Sequence, residues 1–265
     1  MSKPQTILIT GSKGVLGRRI IEYIKINHQD ILLIESPVDL TVRNDVMRFI
    51  DSLPKIDIIF HLAAMVPVQE VNKNPTQAFS VNVGGTLNLL HGLQGRSSKV
   101  IFASSSHVYR ESKIALREDD HLEPTSLYGK TKLIAENLIS AMSDSSNWNY
   151  IIARIFSMHD ANQKGSYLRT NLETRFLKED LSKPFHLQGG RSTRDFLSAE
   201  KVAELLVKLA WSNTEGIVNV ASGVPKTIAS FAQSIAPRKL DIVSTGKSNS
   251  LFADIAKLNQ VLGIS

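Results

Sequence analysis

Two side chains in this sequence have the types and the spacing for proton transfer coupled to redox chemistry. Tyr128 and Lys132 stand four apart in Pro124–Glu136, which reads as a helix, so both project from one face. An ammonium beside a phenol favours the phenolate and lowers its pKa, which makes the tyrosine an acid or base near neutral pH. Such a pair also occurs by chance on helix surfaces, so its neighbours in the chain matter. Lys99–Ser106 reads as a strand ending in Ser104, Ser105 and Ser106. Three hydroxyls suit a polar site better than a core. Near the N-terminus an apolar run stops at Thr10, and Gly11, Gly14 and Gly17 follow at three-residue steps. An amphipathic segment then runs from Val15 to Ile26. Strand, glycine turn and helix in this order bring backbone N–H groups and a helix N-terminus close to a phosphate. The spacing is Gly-x-x-Gly-x-x-Gly, not the Gly-x-Gly-x-x-Gly of the usual dinucleotide fingerprint.

The remaining elements must position these groups. Asp30–Glu35 reads as a second buried strand that ends on an acid. A carboxylate at that place accepts hydrogen bonds from ribose hydroxyls and repels a 2′-phosphate, which favours NAD. Lys13, a cation in the glycine turn, pulls toward NADP. No helix fits between Glu35 and Asp39, so this crossover is abbreviated. Thr41 is placed to cap a helix over Val42–Leu53, which Pro54 ends. Asp57–Ala64 reads as a strand running into small residues that let a ligand lie close to the backbone. His61 reads as a packed strand residue, because no second ligand stands at metal spacing. Pro75–Leu93 reads as one long amphipathic helix with Phe79, Val83, Leu87 and Leu90 on one face. Asn82, in its middle, must satisfy its amide if buried and is suited to brace a loop.

Segment 107–125 reads as a polar surface loop, Tyr150–Ile155 as a strand and 158–190 as irregular. Arg194–Ser198 precedes a helix over Ala199–Trp211. Gly216–Ala221 reads as a last strand, and helices near Ile228–Ile235 and Asp254–Leu262 close the chain.

The 265 residues allow one α/β domain, with or without a small appended lobe. Hydrophobic residues at 42% against 21% charged predict a globular fold. The formal charge of +6 suits an anionic ligand, but without dense Lys/Arg runs nucleic-acid binding is not expected. The absence of cysteine excludes disulfides, thiol catalysis and Cys-ligated metals. Met1–Thr6 carries no apolar leader, and no stretch is apolar enough to span a bilayer. The expectation is a cytoplasmic protein.

Taken in order, the motifs resemble the extended short-chain dehydrogenase/reductases of the NAD-dependent epimerase/dehydratase family. They are Thr-Gly-x-x-Gly-x-x-Gly at Thr10–Gly17, the acid Glu35, His-Leu-Ala-Ala at His61–Ala64 and Asn-Val-x-Gly-Thr-x-Asn-Leu-Leu at Asn82–Leu90. Ser-Ser-Ser-x-Val-Tyr at Ser104–Tyr109, Tyr-Gly-x-x-Lys at Tyr128–Lys132, Arg-Asp-Phe at Arg194–Phe196 and Ala-Asp-Ile-x-Lys at Ala253–Lys257 complete them. The resemblance implies a Rossmann-type, doubly wound parallel sheet with a small C-terminal substrate lobe. Residues 1–156 would bind the dinucleotide, with elements near 191–221 returning to that part, and 157–265 would mainly bind substrate.

The resemblance also implies roles. Tyr128 is the acid/base, Lys132 positions the ribose and lowers the phenol pKa, and Ser105 holds the substrate oxygen. The cofactor set is Gly11, Lys13, Gly14, Val15, Leu16, Gly17, Glu35, Asp39, Leu40, Leu62, Ala63, Ala64, Asn82, Ala103 and Ile155, with Tyr128 and Lys132. Met65, Ser106, His107, Ser157 and Arg194 are candidates for the substrate side. NAD is the expected cofactor, with NADP as the alternative; no metal is expected.

Several positions depart from the family pattern. Ser106 and His107 replace the Asp-Glu pair of the dehydratase branch, which disfavours dehydration. Arg154-Ile155-Phe156-Ser157 lacks the usual Asn, and Arg110 replaces a Gly. The expected activity is epimerisation of a nucleotide-linked sugar through a transient ketone. The alternatives are a 4-keto-deoxysugar reductase using external NAD(P)H and a non-catalytic dinucleotide-binding regulator. Helices 75–93 and 126–142 are expected to form a homodimer interface.

Overall fold

The computed structural model describes residues 6–146 and 148–264; most of the N-terminal segment Met1–Thr6 lies outside them. Six parallel strands form the central sheet, in the order Leu32–Glu35, Thr6–Thr10, Ile58–His61, Lys99–Ser105, Asn149–Ile155 and Gly216–Val220. Side chains alternate across each strand. Ile7 and Ile9 therefore join one core with Ile20, Ile24, Val202 and Leu206, while Leu8 joins the opposite core with Val46, Ile50, Leu89 and Ile139. Helices Val15–Asn27, Ala199–Trp211 and Ala256–Leu262 cover the first face; Arg43–Ser52, Gly85–Gly92 and Leu127–Ser143 cover the second. This is the Rossmann-type doubly wound α/β sheet. The order in which strands are added reverses between Thr6–Thr10 and Ile58–His61, so a crevice opens beyond their C-terminal ends.

After residue 156 the chain alternates between this sheet and a smaller layer. Strand Thr193–Ser198 pairs with Ser157–His159, Pro225–Thr227 and Ser250–Leu251. Phe185–Gln188 pairs with Ile242–Thr245. Helices Leu168–Lys178 and Ile228–Ile235 pack there around Leu172, Phe176, Phe185 and Phe231.

Several expectations are corrected. Segment 158–190 is not irregular: it holds a helix and two strands. Only Leu172 and Phe176 are buried on that helix, too narrow a stripe to stand out in the sequence. Segment 107–125 is not a plain surface loop, because Val108, Tyr109 and Leu116 are buried beneath it. Gly216–Val220 is not the last strand. Thr41 does not cap the next helix; its backbone N–H and hydroxyl both donate to Asp39. The long helix over 75–93 is broken into Pro75–Phe79, a wide π turn over Ser80–Gly84, and Gly85–Gly92. Phe79 and Leu87 are exposed, while Ala78, Thr86, Leu89 and Leu90 face inward. Among the described residues no helix is long and apolar enough to cross a membrane.

Candidate active site

The crevice is built first by glycine. Gly11 has φ +69, and a Cβ there would stand 2.7 Å from the Ala63 nitrogen. A Cβ on Gly17 would stand 2.5 Å from the Gly11 oxygen. Only hydrogen fits at either place, so the turn lies tight against both the next strand and its own helix. Gly14 N donates to Gly11 O at 3.0 Å, and helix Val15–Asn27 begins with no side-chain cap. Its first N–H groups are therefore open to an anion. A cleft of about 790 Å³ runs from this turn toward residues 157–231.

Leu62, Ala63, Ala64, Ala103 and Ile155 line the cleft with Gly11, Gly14, Val15, Leu16 and Gly17. Thr10 Oγ1 fixes the floor. It accepts from the backbone N–H groups of Leu62 and Ala63 and bonds His61 Nδ1 at 2.8 Å. His61 Nε2 bonds Thr86 Oγ1 at 2.9 Å, and burial pushes its pKa down to about 3. Both nitrogens are used, so His61 is a neutral packing residue.

Lys13, Glu35, Asp39, Leu40, Met65 and Asn82 do not line the cleft. Lys13 and Glu35 are exposed, and Leu40 is in the core. Asp39 instead borders a second hollow with Thr41, Lys73 and Thr76. Asn82 acts through the backbone of Met65: its Oδ1 accepts from Met65 N at 2.6 Å, and its Nδ2 donates to Met65 O and to Thr131 Oγ1. The π turn thus ties the 62–66 loop to the tyrosine helix.

Helix Leu127–Ser143 is capped by Ser126, which accepts from Gly129 N. Gly129 lies so close to the His107 carbonyl that a Cβ would overlap it. That approach brings Tyr128 to the end of strand Lys99–Ser105, where the Ser105 hydroxyl acts on its phenol. Ser105 Oγ also accepts from His107 N at 3.2 Å. Tyr128, Lys132, Ser105, Ser106, His107, Ser157 and Arg194 all line the cleft.

Burial outweighs the expected lowering of the Tyr128 pKa by Lys132: it pushes the phenol up to about 12, against the influence of the Ser105 hydroxyl. Burial also pushes Lys132 down to about 7. Its ammonium rests 4.4 Å from the Phe102 ring centroid and has no carboxylate partner among the described residues. Glu136, one turn further on, is taken by Arg154 at 2.8 Å.

The family is settled by comparison. The model of the NAD dependent epimerase/dehydratase family matches residues 7–221. The chain belongs to this family. GDP-6-deoxy-D-mannose reductase of Pseudomonas aeruginosa is 28% identical over 254 residues, covering 90% of this chain and 83% of the relative. A putative UDP-glucose 4-epimerase of Methanocaldococcus jannaschii is 26% identical, covering 82% and 77%. Among solved structures, RMD from Pseudomonas aeruginosa complexed with NADPH superposes with a TM-score of 0.87, at 24% identity over 98% of this chain and 93% of that one. MoeE5 in complex with UDP-glucuronic acid and NAD gives 0.82, at 24% identity over 97% and 92%.

The glycine cradle and the unpartnered Lys132 fit the dinucleotide of this epimerase/dehydratase family. Arg154, at the family's Arg-x-Phe-Asn position, is 1% exposed and committed to Glu136, Tyr109 and the Glu118 carbonyl. Arg194 lines the cleft but also bonds Thr193 O and Asn249. Sequence reasoning missed the far wall: His159, Gln163, Tyr167, Arg169 and the stacked pair Phe196–Phe231, with centroids 4.0 Å apart. Phe196 sits in the quoted Arg-Asp-Phe motif; the others carried no motif signal.

Proposed function

We propose that this protein oxidises or reduces a ring carbon of a nucleotide-linked sugar, with Tyr128 as acid/base, Ser105 holding the reacting oxygen and Lys132 positioning the cofactor. The convergence of Ser105, Tyr128 and a Lys132 without a carboxylate partner on one glycine-built cleft carries this reading. The nicotinamide, when bound, gives or takes the hydride. The chain supplies the rest. Gly11, Gly14 and Gly17 admit the phosphates to backbone N–H groups. Ser105 and Tyr128 hydrogen-bond the sugar oxygen as it changes between hydroxyl and carbonyl, and Tyr128 Oη carries the proton. Lys132, charged when an anion enters the cleft, favours the phenolate. Residues 6–156 with the returning 191–221 segment hold the dinucleotide, and the rest of 157–264 holds the sugar.

The first reading within this chemistry is epimerisation. Glu35, at the end of its strand opposite Ile9, favours a ribose over a 2′-phosphate and so a retained NAD. The second is a keto-sugar reductase, supported by the reductase relative that matches 90% of the chain. Phe79, Leu87 and Ile134 expose apolar side chains on the outer helices, which supports a homodimer; light scattering showing a monomer at micromolar concentration overturns it.

Mass spectrometry of cofactor released on denaturation tests the choice, together with turnover of UDP-glucose, UDP-glucuronic acid and GDP-linked 4-keto-6-deoxymannose. Bound NAD⁺ and conversion of a UDP-sugar support the epimerase. An empty site and NAD(P)H-dependent consumption of the keto-sugar support the reductase. No conversion with either cofactor overturns both.

A further inference from the structure

Arg19 lies outside the cleft, on helix Val15–Asn27, the helix that starts at the glycine turn. Its guanidinium meets three carboxylates from three elements. Nε donates to Asp160 Oδ2 at 2.8 Å, Nη1 to Glu22 at 2.9 Å, and Nη2 stands 2.9 Å from Glu200. The three arms are not alike. Glu22 and Glu200 are 55% and 57% exposed, and exposed pairs contribute little. The Asp160 side chain is 1% exposed. A carboxylate that deep is costly once its partner is removed.

Asp160 also knots the chain around it. Its Oδ1 accepts from Asn162 N at 2.7 Å and its carbonyl from Gln163 N at 3.3 Å, which closes a turn over 160–163. The Gln163 carbonyl accepts from Thr170 Oγ1 at 3.0 Å, which ties that turn to helix Leu168–Lys178. Met158 and His159 precede the turn, Gln163 ends it, and Tyr167, Leu168 and Arg169 follow; all of them line the cleft. Among the described residues, Arg19–Asp160 is the one ion pair that joins segment 157–183 to the helices on the central sheet.

We propose that Arg19 is a positioning residue for the sugar: by holding Asp160 it sets where the far wall of the cleft stands, while touching neither ligand itself. The inference rests on the preceding reading, in which the chain beyond residue 156 holds the sugar. Burial alone would raise the Asp160 pKa, but the bonds from Arg19 and from Asn162 N hold it below the ordinary carboxylate range, so the group is charged at neutral pH. Arg169 also acts on that charge, but only through space, because its own Nε donates to Glu173 at 2.7 Å. Without Arg19 the carboxylate must reach water, the turn over 160–163 opens, and the wall residues on either side shift with it. The glycine turn does not shift, because it packs on Ala63 and on its own helix. Sugar binding and dinucleotide binding are therefore separable at Arg19.

The test is steady-state kinetics with whichever of UDP-glucose, UDP-glucuronic acid and GDP-linked 4-keto-6-deoxymannose the wild type converts, beside the NADH dissociation constant from fluorescence titration. In Arg19→Met, kcat/KM for the sugar falls by roughly 10²-fold, the cost of about 1 Å of misplacement far from the chemistry. The loss lies chiefly in KM, and NADH affinity is unchanged. Arg19→Lys keeps a cation and a donor and recovers part of the loss. Glu200→Gln removes only an exposed arm and leaves both constants as in the wild type. Asp160→Asn gives the same split as Arg19→Met and replaces it if that variant does not fold. A sugar KM at the wild-type value in these variants overturns the proposal and leaves the parent reading standing. Equal losses of sugar and NADH affinity do the same, as does failure of both variants to fold, since either outcome assigns the pair to the scaffold alone. No conversion of any of the three sugars by the wild type overturns the parent reading and this one with it.

Discussion

Tyr128, Lys132 and Glu136 form one stripe on one helix, yet its two ends behave in opposite ways. At the Glu136 end every polar group is matched. Arg154 forks onto Glu136 with Nε and Nη2, and its Nη1 donates to Tyr109 Oη and the Glu118 carbonyl. Tyr109 donates to Asn219 Oδ1 at 2.6 Å, Asn219 Nδ2 donates to Leu116 O, and Ser104 bonds Glu136. At the Tyr128 end Lys132 is short of a partner: it is buried, and among the described residues no carboxylate pairs with its ammonium. A saturated buried cluster holds elements together and has no capacity left for a ligand. An unsaturated one, at the wall of a cleft, is completed by what binds there. The distinction separates scaffold from site without reference to family.

Three experiments break or sharpen that contrast. The largest effect is expected at the unsaturated end. Tyr128→Phe removes the proton carrier and lowers turnover by about 10²–10⁴-fold, while the melting temperature stays within a few degrees of wild type. At the saturated end the order reverses. Glu136→Gln strands the buried Arg154 charge and lowers stability by about 3–5 kcal/mol, measured by urea unfolding.

The third is a pH dependence at the stripe's centre. Lys132 has a folded pKa near 7 against an ordinary 10.5. Between those values the unfolded chain holds the proton and the folded chain does not. Stability of the cofactor-free protein therefore rises with pH from 7 to 10.5, by up to about 1.4 kcal/mol per pH unit from this residue. That gain is lost as pH falls from 10.5 to 7, and below 7 this residue adds no slope. Lys132→Met removes this part of the slope; an unchanged slope in a pH series of urea titrations counts against it.

What was legible in the sequence follows from how local each signal is. The glycine turn, the strand ending in serines and the Tyr-Gly-x-x-Lys helix are each written within a dozen residues, and all appear as read. Gly129 is legible only as a motif letter; its reason, the His107 carbonyl, lies 22 positions upstream. The pairing of Arg154 with Glu136 spans the sheet and its helix, and neither position advertises the other. The pKa of Tyr128 is not legible from spacing, which places a charge but says nothing of burial, the larger influence here. The far wall of the cleft was invisible because His159, Gln163 and Tyr167 lie where apolar periodicity fades.

The π turn over Ser80–Gly84 has a further consequence. Such a turn holds one residue more than an α-helical turn, and each residue advances a helix by about 100°. The rod before the turn and the rod after it are therefore out of phase with each other. This explains why Phe79 and Leu87, one apolar stripe on paper, both face outward. A register shift inside a continuous rod, rather than a loop, is what swings Asn82 inward to hold Met65. An alignment that treats the segment as regular helix is thus free to absorb a one-residue gap there, though that residue is the one the brace depends on.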